Sequence, residues 1–203
     1  NRAEGTAMKD ILVIGGGKIG SVVAELLANA RGSGGAYRVT LADRSLELLA
    51  AIDAQAQRRL ETLPIDVADA GALRGAMQGR FAVLSAAPFH LTLQVAEAAR
   101  ACGVHYLDLT EDVAATRRIR ELATGADTAF IPQCGLAPGF IGIVAADLAR
   151  RFESLDSVRM RVGALPAYPS NALNYNLTWS TDGVINEYCE PCEAVVDGGL
   201  REV

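Results

Sequence analysis

The feature that most constrains this fold is a short apolar run that ends in glycines and leads into an amphipathic stretch. Residues 11–14, Ile-Leu-Val-Ile, have the length and composition of a parallel strand buried on both faces. Residues 19–30 then carry apolar side chains at helical spacing. The same alternation continues through five further predicted strands, at 37–42, 62–67, 81–85, 104–107 and 129–132. Alternating strands and helices predict an α/β fold built on a doubly wound parallel sheet.

The glycine-rich turn after the first strand fits the pattern G-x-G-x-x-G, in the strand-to-helix context that makes the pattern informative. Three glycines at this spacing allow a tight turn, room for a pyrophosphate and close packing of the helix on the sheet. The unpaired N–H groups and the dipole at the start of a helix favour an anion there. We therefore predict a Rossmann-type dinucleotide site that includes Gly15, Gly17, Lys18, Ile19 and Gly20.

The residues after the second and third strands bear on which dinucleotide binds. Asp43 ends the second strand, where a carboxylate can accept both ribose hydroxyls of NAD and repel the 2′-phosphate of NADP. Arg44 follows directly and could bind that phosphate, so the sequence favours NAD and leaves NADP possible. Asp66 and Val67 are placed to flank an adenine, and Asp66 is equally readable as a turn residue.

Ligands of doubly wound sheets bind beyond the carboxyl ends of the strands. The loop after the fourth strand is therefore predicted to line the nicotinamide half of the crevice, through its small or rigid residues Ala86, Ala87 and Pro88. His90 lies near the same crevice and is a catalytic candidate, the alternative being a histidine on the helix surface. Asp108 and Glu111 follow the fifth strand at this edge and could hold a substrate ammonium or act as the base.

A second region follows a predicted helix at 138–152. Residues 157–165 alternate strictly between apolar and polar, which predicts a strand of an antiparallel sheet with one wet face. Residues 194–203 predict a hairpin that turns at Asp197-Gly198-Gly199. Because so few strands make no independent core, we expect a dinucleotide-binding domain over 8–133, a connecting loop and helix over 134–153, and a truncated first part of an α+β domain over 154–203.

Composition excludes several other classes of protein. The formal net charge of −5 argues against a nucleic-acid partner, which needs clustered basic residues. The C-x-x-C pair at Cys189 and Cys192 has no second pair, so we expect no metal site. The charge-free run at 128–146 is interrupted by prolines and glycines, so we expect no membrane partner. With no secretory signal segment, the sequence indicates a cytoplasmic protein.

Several motifs together resemble the saccharopine dehydrogenase family, and within it the L-lysine 6-dehydrogenase-like and glutamate-forming, NADP-linked saccharopine dehydrogenase-like proteins. The shared stretches in the first region are Val13–Gly20, Ser85–Phe89, Gly103–Asp108 and Gly135–Gly139. Those in the second region are Gly163–Pro166, Asn174–Ser180 and Ile185–Tyr188. The resemblance covers residues 8–203, although members of the family are nearly twice as long.

The resemblance implies NAD(P)-linked oxidation or reduction at a carbon–nitrogen bond of an amino acid. It also implies a homodimer in the full-length protein and a substrate pocket that includes Asn171, Tyr175 and Trp179, of which the two aromatic residues could equally be core. Two alternatives share the same glycine-rich loop. One is a polyamine enzyme similar to carboxynorspermidine dehydrogenase, and the other is a dinucleotide-binding sensor or scaffold without turnover.

Overall fold

The structure is a computed structural model, and a parallel sheet positions the candidate cofactor-binding residues. The described residues are 8–30, 37–55, 60–163, 166–172, 174–177, 180–189, 191 and 193–203. Within these ranges six parallel strands form one sheet in the order β3-β2-β1-β4-β5-β6. The strands are β1 (Lys9–Ile14), β2 (Tyr37–Asp43), β3 (Glu61–Pro64), β4 (Ala82–Ser85), β5 (His105–Asp108) and β6 (Phe130–Ile131).

The strand order reverses between β1 and β4, which pair with Ile14 opposite Ser85. Chain connections leave such a switch point in opposite directions and open a crevice at the carboxyl ends of the strands. The fold therefore places the loop after β1 and the loop after β4 side by side. A backbone hydrogen bond joins them, since the Ala86 N–H donates to the Ile14 carbonyl at 2.7 Å.

Helices cover both faces of the sheet because β1 is apolar on both faces. Leu12 and Ile14 belong to one buried cluster and Ile11 and Val13 to the other, as the two-residue period of a strand requires. The first cluster packs against α3 (Ala70–Met77), α4 (Phe89–Cys102) and α5 (Val113–Ala123). The second packs against α1 (Lys18–Asn29) and α2 (Leu46–Gln55). The predicted α/β fold with a doubly wound parallel sheet is confirmed.

Local signals fix several helix ends near this edge of the sheet. The carboxylate of Asp69 accepts hydrogen bonds from the Gly71 and Ala72 N–H groups at the start of α3, as its position predicts. Asp112 caps α5 in the same way, through the Ala115 N–H. Pro88 stands at the N-cap of α4, one residue before the first helical position that its chemistry favours.

The second region contains α6 (Phe140–Ala149), α7 (Thr181–Cys189) and a hairpin of β7 (Glu193–Val196) and β8 (Gly199–Glu202). The hairpin is the predicted one. The predicted strand at 157–165 is wrong over its described part, since residues 157–163 pair with no other described segment and Val158 and Met160 are more than half exposed. Strand alternation marks a segment that can pair, but a strand forms only beside a partner.

Candidate dinucleotide-binding site

A cleft of about 740 Å³ opens at the carboxyl ends of β1, β2, β3 and β4, where the strand order reverses. Every residue that the sequence proposes for cofactor binding lines this cleft. These residues are Gly15, Gly17, Lys18, Ile19, Gly20, Asp43, Arg44, Asp66, Val67, Ala86, Ala87 and Pro88. The fold therefore brings together, from four loops, the residues that the sequence analysis selected one by one.

The three glycines of the G-x-G-x-x-G pattern, Gly15, Gly17 and Gly20, have different surroundings in the structure. Gly15 adopts a φ of +99°, and a Cβ there would lie 2.6 Å from the carbonyl oxygen of Ala86. A Cβ on Gly20 would lie 1.8 Å from the carbonyl oxygen of Gly15. A Cβ on Gly17, in contrast, would meet no protein atom within 4 Å. Protein packing requires the first and third glycines, whereas the space at Gly17 is open to a ligand.

The start of α1 presents backbone donors to this space. Gly17 is the N-cap of α1 and no side chain caps the helix. The first N–H groups of a helix have no carbonyl partner within the helix, so they remain available to an anion. The geometry fits a pyrophosphate that lies over Gly17 and the first turn of α1.

Asp43 lies beside the glycine loop at the end of β2. One carboxylate oxygen accepts the Gly16 N–H at 2.7 Å, and the other accepts the Ser45 N–H at 2.8 Å. Each carboxylate oxygen has more than one acceptor position, so both can still accept a ribose hydroxyl. Lys18 and Arg44 are exposed cations in the wall of the same cleft.

Asp66 and Val67 lie beyond β3, which ends at Pro64, earlier than its apolar run predicts. Both residues line the cleft beside Ala42 and Ile65, and Val67 is buried. The carboxylate of Asp66 also accepts the Ala68 N–H at 2.9 Å. The two sequence interpretations of Asp66 are thus compatible, since the residue holds a turn and lines the cleft.

The opposite end of the cleft, beyond β4 and β5, is lined by residues of three segments. They are His90 in the first turn of α4, Thr110 and Glu111 after β5, and Ser180, Asp182 and Gly183 around the start of α7. Sequence reasoning missed the α7 residues. The signal was present, because Ser180 precedes an apolar pair at Val184 and Ile185, and its hydroxyl accepts the Gly183 N–H at 3.1 Å.

The sequence analysis proposes Asp108 as a catalytic carboxylate. In the structure Asp108 is buried, and it is not among the described residues that line the cleft. One of its oxygens accepts the Thr110 and Gln133 N–H groups, each at 3.0 Å, and the other accepts the Tyr106 hydroxyl at 2.8 Å. Burial raises the pKa of Asp108, although these hydrogen bonds oppose the rise. Asp108 therefore joins the loops after β5 and β6, and the structure gives it a structural role, while its catalytic role stays a prediction.

The predicted substrate residues Asn171 and Tyr175 do not line the cleft within the described part of the chain. The Asn171 side chain donates to the Tyr175 carbonyl at 2.8 Å, so it holds a local turn instead. Their predicted contact with substrate stays a prediction. Trp179 lies outside the described residues.

The other residues with reactive side chains have structural roles. His105 packs on Phe81 and accepts the Ala129 N–H, as expected for a histidine in a strand. Burial and the nearby Asp108 raise the pKa of the Cys134 thiol, which disfavours the thiolate that a nucleophile needs. Among the described residues no group of histidine, cysteine and carboxylate side chains could hold a metal ion.

Two family models match the chain and together cover most of it. The model of the saccharopine dehydrogenase NADP binding domain matches residues 11–130. The model of the saccharopine dehydrogenase C-terminal domain matches residues 135–203. The chain belongs to the saccharopine dehydrogenase family. The resemblance stated from the sequence motifs is confirmed.

Solved structures agree on the fold. The apo saccharopine dehydrogenase (L-Glu forming) of Saccharomyces cerevisiae is 22% identical with a TM-score of 0.68, over 96% of this chain and 44% of that chain. The scyllo-inositol dehydrogenase of Lactobacillus casei, with bound NAD(H) and scyllo-inositol, is 17% identical with a TM-score of 0.54. The match covers 71% of this chain and 40% of that chain. Pen of Bacillus thuringiensis is 18% identical with a TM-score of 0.52, and the match covers 63% of this chain and 50% of that chain. This chain thus spans less than half of the yeast protein.

The family implies a nicotinamide dinucleotide, and the residues present fit one. The open space at Gly17, the uncapped start of α1 and the fixed carboxylate of Asp43 occur in the order that pyrophosphate and ribose require.

The described helices contain no stretch long and apolar enough to cross a membrane.

Proposed function

We propose that this chain carries the dinucleotide-binding part of an NAD(P)-dependent oxidoreductase that acts on a carbon–nitrogen bond of an amino acid. The observation that supports it most directly is the cleft of about 740 Å³ at the sheet's switch point, with open space at Gly17. Family membership supports the reaction class. A nicotinamide held by the glycine loop and Asp43 would supply a hydride acceptor for the carbon that bears the amine, and water would hydrolyse the resulting substrate imine.

We propose NAD as the preferred cofactor. The carboxylate of Asp43 is fixed by two backbone N–H groups beside the position expected for the adenine ribose. A 2′-phosphate there would meet a negative charge at close range, which disfavours NADP. Lys18 and Arg44 are the cations that would offset this repulsion, and they keep NADP use measurable.

The substrate end of the cleft supports an amine as the reacting group. Of its described titratable residues, His90, Glu111 and Asp182, none is a permanent cation. The sequence has lysines only at positions 9 and 18. Lys18 lies at the nucleotide end of the cleft, and Lys9 begins β1 at the opposite edge of the sheet, where its Nζ lies over the Phe81 ring. Among the described residues at this end of the cleft, a histidine or a carboxylate is therefore the candidate base. It would take a proton from the substrate ammonium, because the amine must be neutral before a hydride leaves the carbon that bears it.

The direct test is oxidation of amines by the full-length protein, followed by the absorbance of the reduced nicotinamide. We expect turnover with lysine or saccharopine, and faster turnover with NAD than with NADP. Turnover with carboxyspermidine-type amines instead would assign the polyamine reaction. Cofactor binding without turnover on any of these amines would contradict the enzyme proposal and favour a sensor.

Cofactor preference has its own variants. Asp43→Asn should improve NADP relative to NAD, because it removes the charge that repels the 2′-phosphate, and Arg44→Ala should weaken NADP alone. Asp66→Asn is the matched control, since it removes another cleft carboxylate without changing the ratio of the two cofactors. Equal ratios in the wild type and in Asp43→Asn would contradict the role of Asp43.

A homodimer is a further proposal, which rests on the family resemblance. Sedimentation of the full-length protein at several concentrations tests it. A monomer at all concentrations would contradict it.

A further inference from the structure

Ser85, the last residue of β4, has a hydroxyl that the fold leaves without a partner. The residue is only 2% exposed, and no hydrogen bond reaches its Oγ from the described part of the protein. Native proteins leave few buried polar groups unpaired, because an unpaired group keeps its full desolvation cost. The Ser85 hydroxyl is therefore expected to gain a hydrogen-bond partner when a ligand binds.

The position of Ser85 points to a ligand. The residue lines the dinucleotide cleft together with Ile14 of β1, its partner in the sheet. Its other sheet partner is Asp108 of β5, whose carboxylate oxygens are already bonded to three other donors. The small loop residues Ala86 and Ala87 follow Ser85 and form the adjacent wall of the cleft.

The strand order decides which part of a dinucleotide lies closest. Asp43, Asp66 and Val67, expected at the adenine ribose and adenine, follow β2 and β3 on one side of β1. Ser85 ends β4 on the other side of β1. A dinucleotide whose pyrophosphate lies over the glycine loop must extend its second half toward β4.

We propose that the Ser85 hydroxyl hydrogen-bonds the nicotinamide half of the dinucleotide, at a hydroxyl of its ribose or at its carboxamide. A serine side chain exchanges among staggered rotamers, so rotation about Cα–Cβ can turn the oxygen toward the cleft. A hydroxyl both donates and accepts, so it can serve either group. This inference rests on the proposed cofactor binding and adds a contact residue to it.

Ser85→Ala is the test variant and Thr116→Val is its matched control. The Thr116 hydroxyl is also buried without a partner, but it lies on α5 and does not line the cleft among the described residues. Calorimetric titration should show NADH binding about 3- to 10-fold weaker in Ser85→Ala, the loss expected for one hydrogen bond. Thr116→Val should bind NADH as the wild type does. If the wild type binds NADPH more tightly, the titrations use NADPH and its fragments.

Fragments of the cofactor locate the contact. The affinity for ADP, which lacks the nicotinamide half, should be the same in Ser85→Ala and in the wild type. If ADP-ribose binding weakens as NADH binding does, the partner is the ribose; if only NADH binding weakens, the partner is the carboxamide. An equal loss for ADP would place the hydroxyl at the adenine half and overturn the inference.

Thermal unfolding without cofactor separates a ligand contact from a structural role. Because Ser85→Ala removes an unpaired hydroxyl, it should unfold at the wild-type temperature or above. A lower unfolding temperature, or unchanged NADH affinity, would overturn the inference while the proposed function stands. Failure of the wild type to bind either NADH or NADPH would instead refute the cofactor proposal itself.

Discussion

Alanine substitutions at Gly20 and Gly17 should separate folding from cofactor binding within one loop. A Cβ at Gly20 would lie 1.8 Å from the Gly15 carbonyl oxygen, whereas ordinary contacts begin near 3.4 Å. The turn would therefore have to open by about 1.6 Å, the difference between these two distances. Overpacking costs about 1–3 kcal/mol, and the upper end applies because the clash is with backbone. For a chain of this size about 3 kcal/mol lowers the Tm by roughly 6–12 °C.

The Gly17→Ala variant should fold normally. Gly17 has a φ of −62° and extended backbone that any residue adopts, and its Cβ would meet no atom within 4 Å. Loss of a glycine N-cap costs about 1 kcal/mol or less. The new methyl group would, however, occupy the space where a pyrophosphate reaches the N–H groups of α1. Loss of one charge-assisted hydrogen bond, about 1.5–3 kcal/mol, weakens binding by about 10- to 100-fold.

Circular dichroism gives the Tm of each variant, and calorimetric titration with NADH gives the affinity. The expected pattern is a lowered Tm for Gly20→Ala, and a near-normal Tm with strongly reduced affinity for Gly17→Ala. Wild-type affinity in Gly17→Ala would refute the assignment of the open space to the cofactor. A wild-type Tm in Gly20→Ala would refute the packing argument.

Three further predictions concern hydrogen bonds near this edge of the sheet. Asp108→Ala leaves the Thr110 and Gln133 N–H groups without their acceptor, whereas the Tyr106 hydroxyl keeps the Thr92 carbonyl as a partner. The loss in urea unfolding should be about 2 kcal/mol or more, and a loss below about 1 kcal/mol would contradict the network. Burial raises the pKa of Asp108, so the folded protein keeps this proton to a higher pH than the unfolded chain does. The free energy of unfolding of the wild type should therefore fall relative to that of Asp108→Asn as the pH rises from about 4, and parallel curves of this free energy against pH would contradict the prediction. Backbone hydrogen bonds lower the pKa of Asp69, so its capping contribution, present at neutral pH, should disappear on acidification, and Asp69→Ala should lack that acid-dependent loss.

The parallel sheet and the nucleotide loops could be predicted because their signals are local. The run at 11–14 is apolar at every position, and the structure buries it between two helical layers. The glycine spacing needs only a strand before it and a helix after it to be informative. Both signals lie within one strand–turn–helix segment, so the sequence alone was sufficient to recognise them.

Asp108 shows how the two-residue period of a strand predicts the burial of a side chain. Tyr106 and Asp108 are two residues apart in β5 and therefore point to the same face of the sheet. Tyr106 is fully buried in the cluster beneath α4, so Asp108 faces inward too. Its place at the end of a strand suggested the cleft, whereas the structure buries its carboxylate against the Tyr106 hydroxyl and two backbone N–H groups.

The features that the sequence did not predict depend on contacts between distant segments. Residues 157–163 alternate as a strand does, but strand formation needs a partner that alternation does not supply. The approach of α7 to the cleft joins Asp182 to residues that lie more than seventy positions earlier in the chain, such as Glu111. The unpaired state of the Ser85 hydroxyl likewise depends on the neighbours that the fold provides.

The most direct test of the central claim is a calorimetric titration of the wild-type chain with NADH and, separately, with NADPH. The cleft geometry predicts saturable binding at a single site, with NADH bound more tightly than NADPH because of Asp43. Tighter NADPH binding would contradict the cofactor preference and transfer that role to Arg44 and Lys18. A folded chain that binds neither cofactor would contradict the assignment of the cleft.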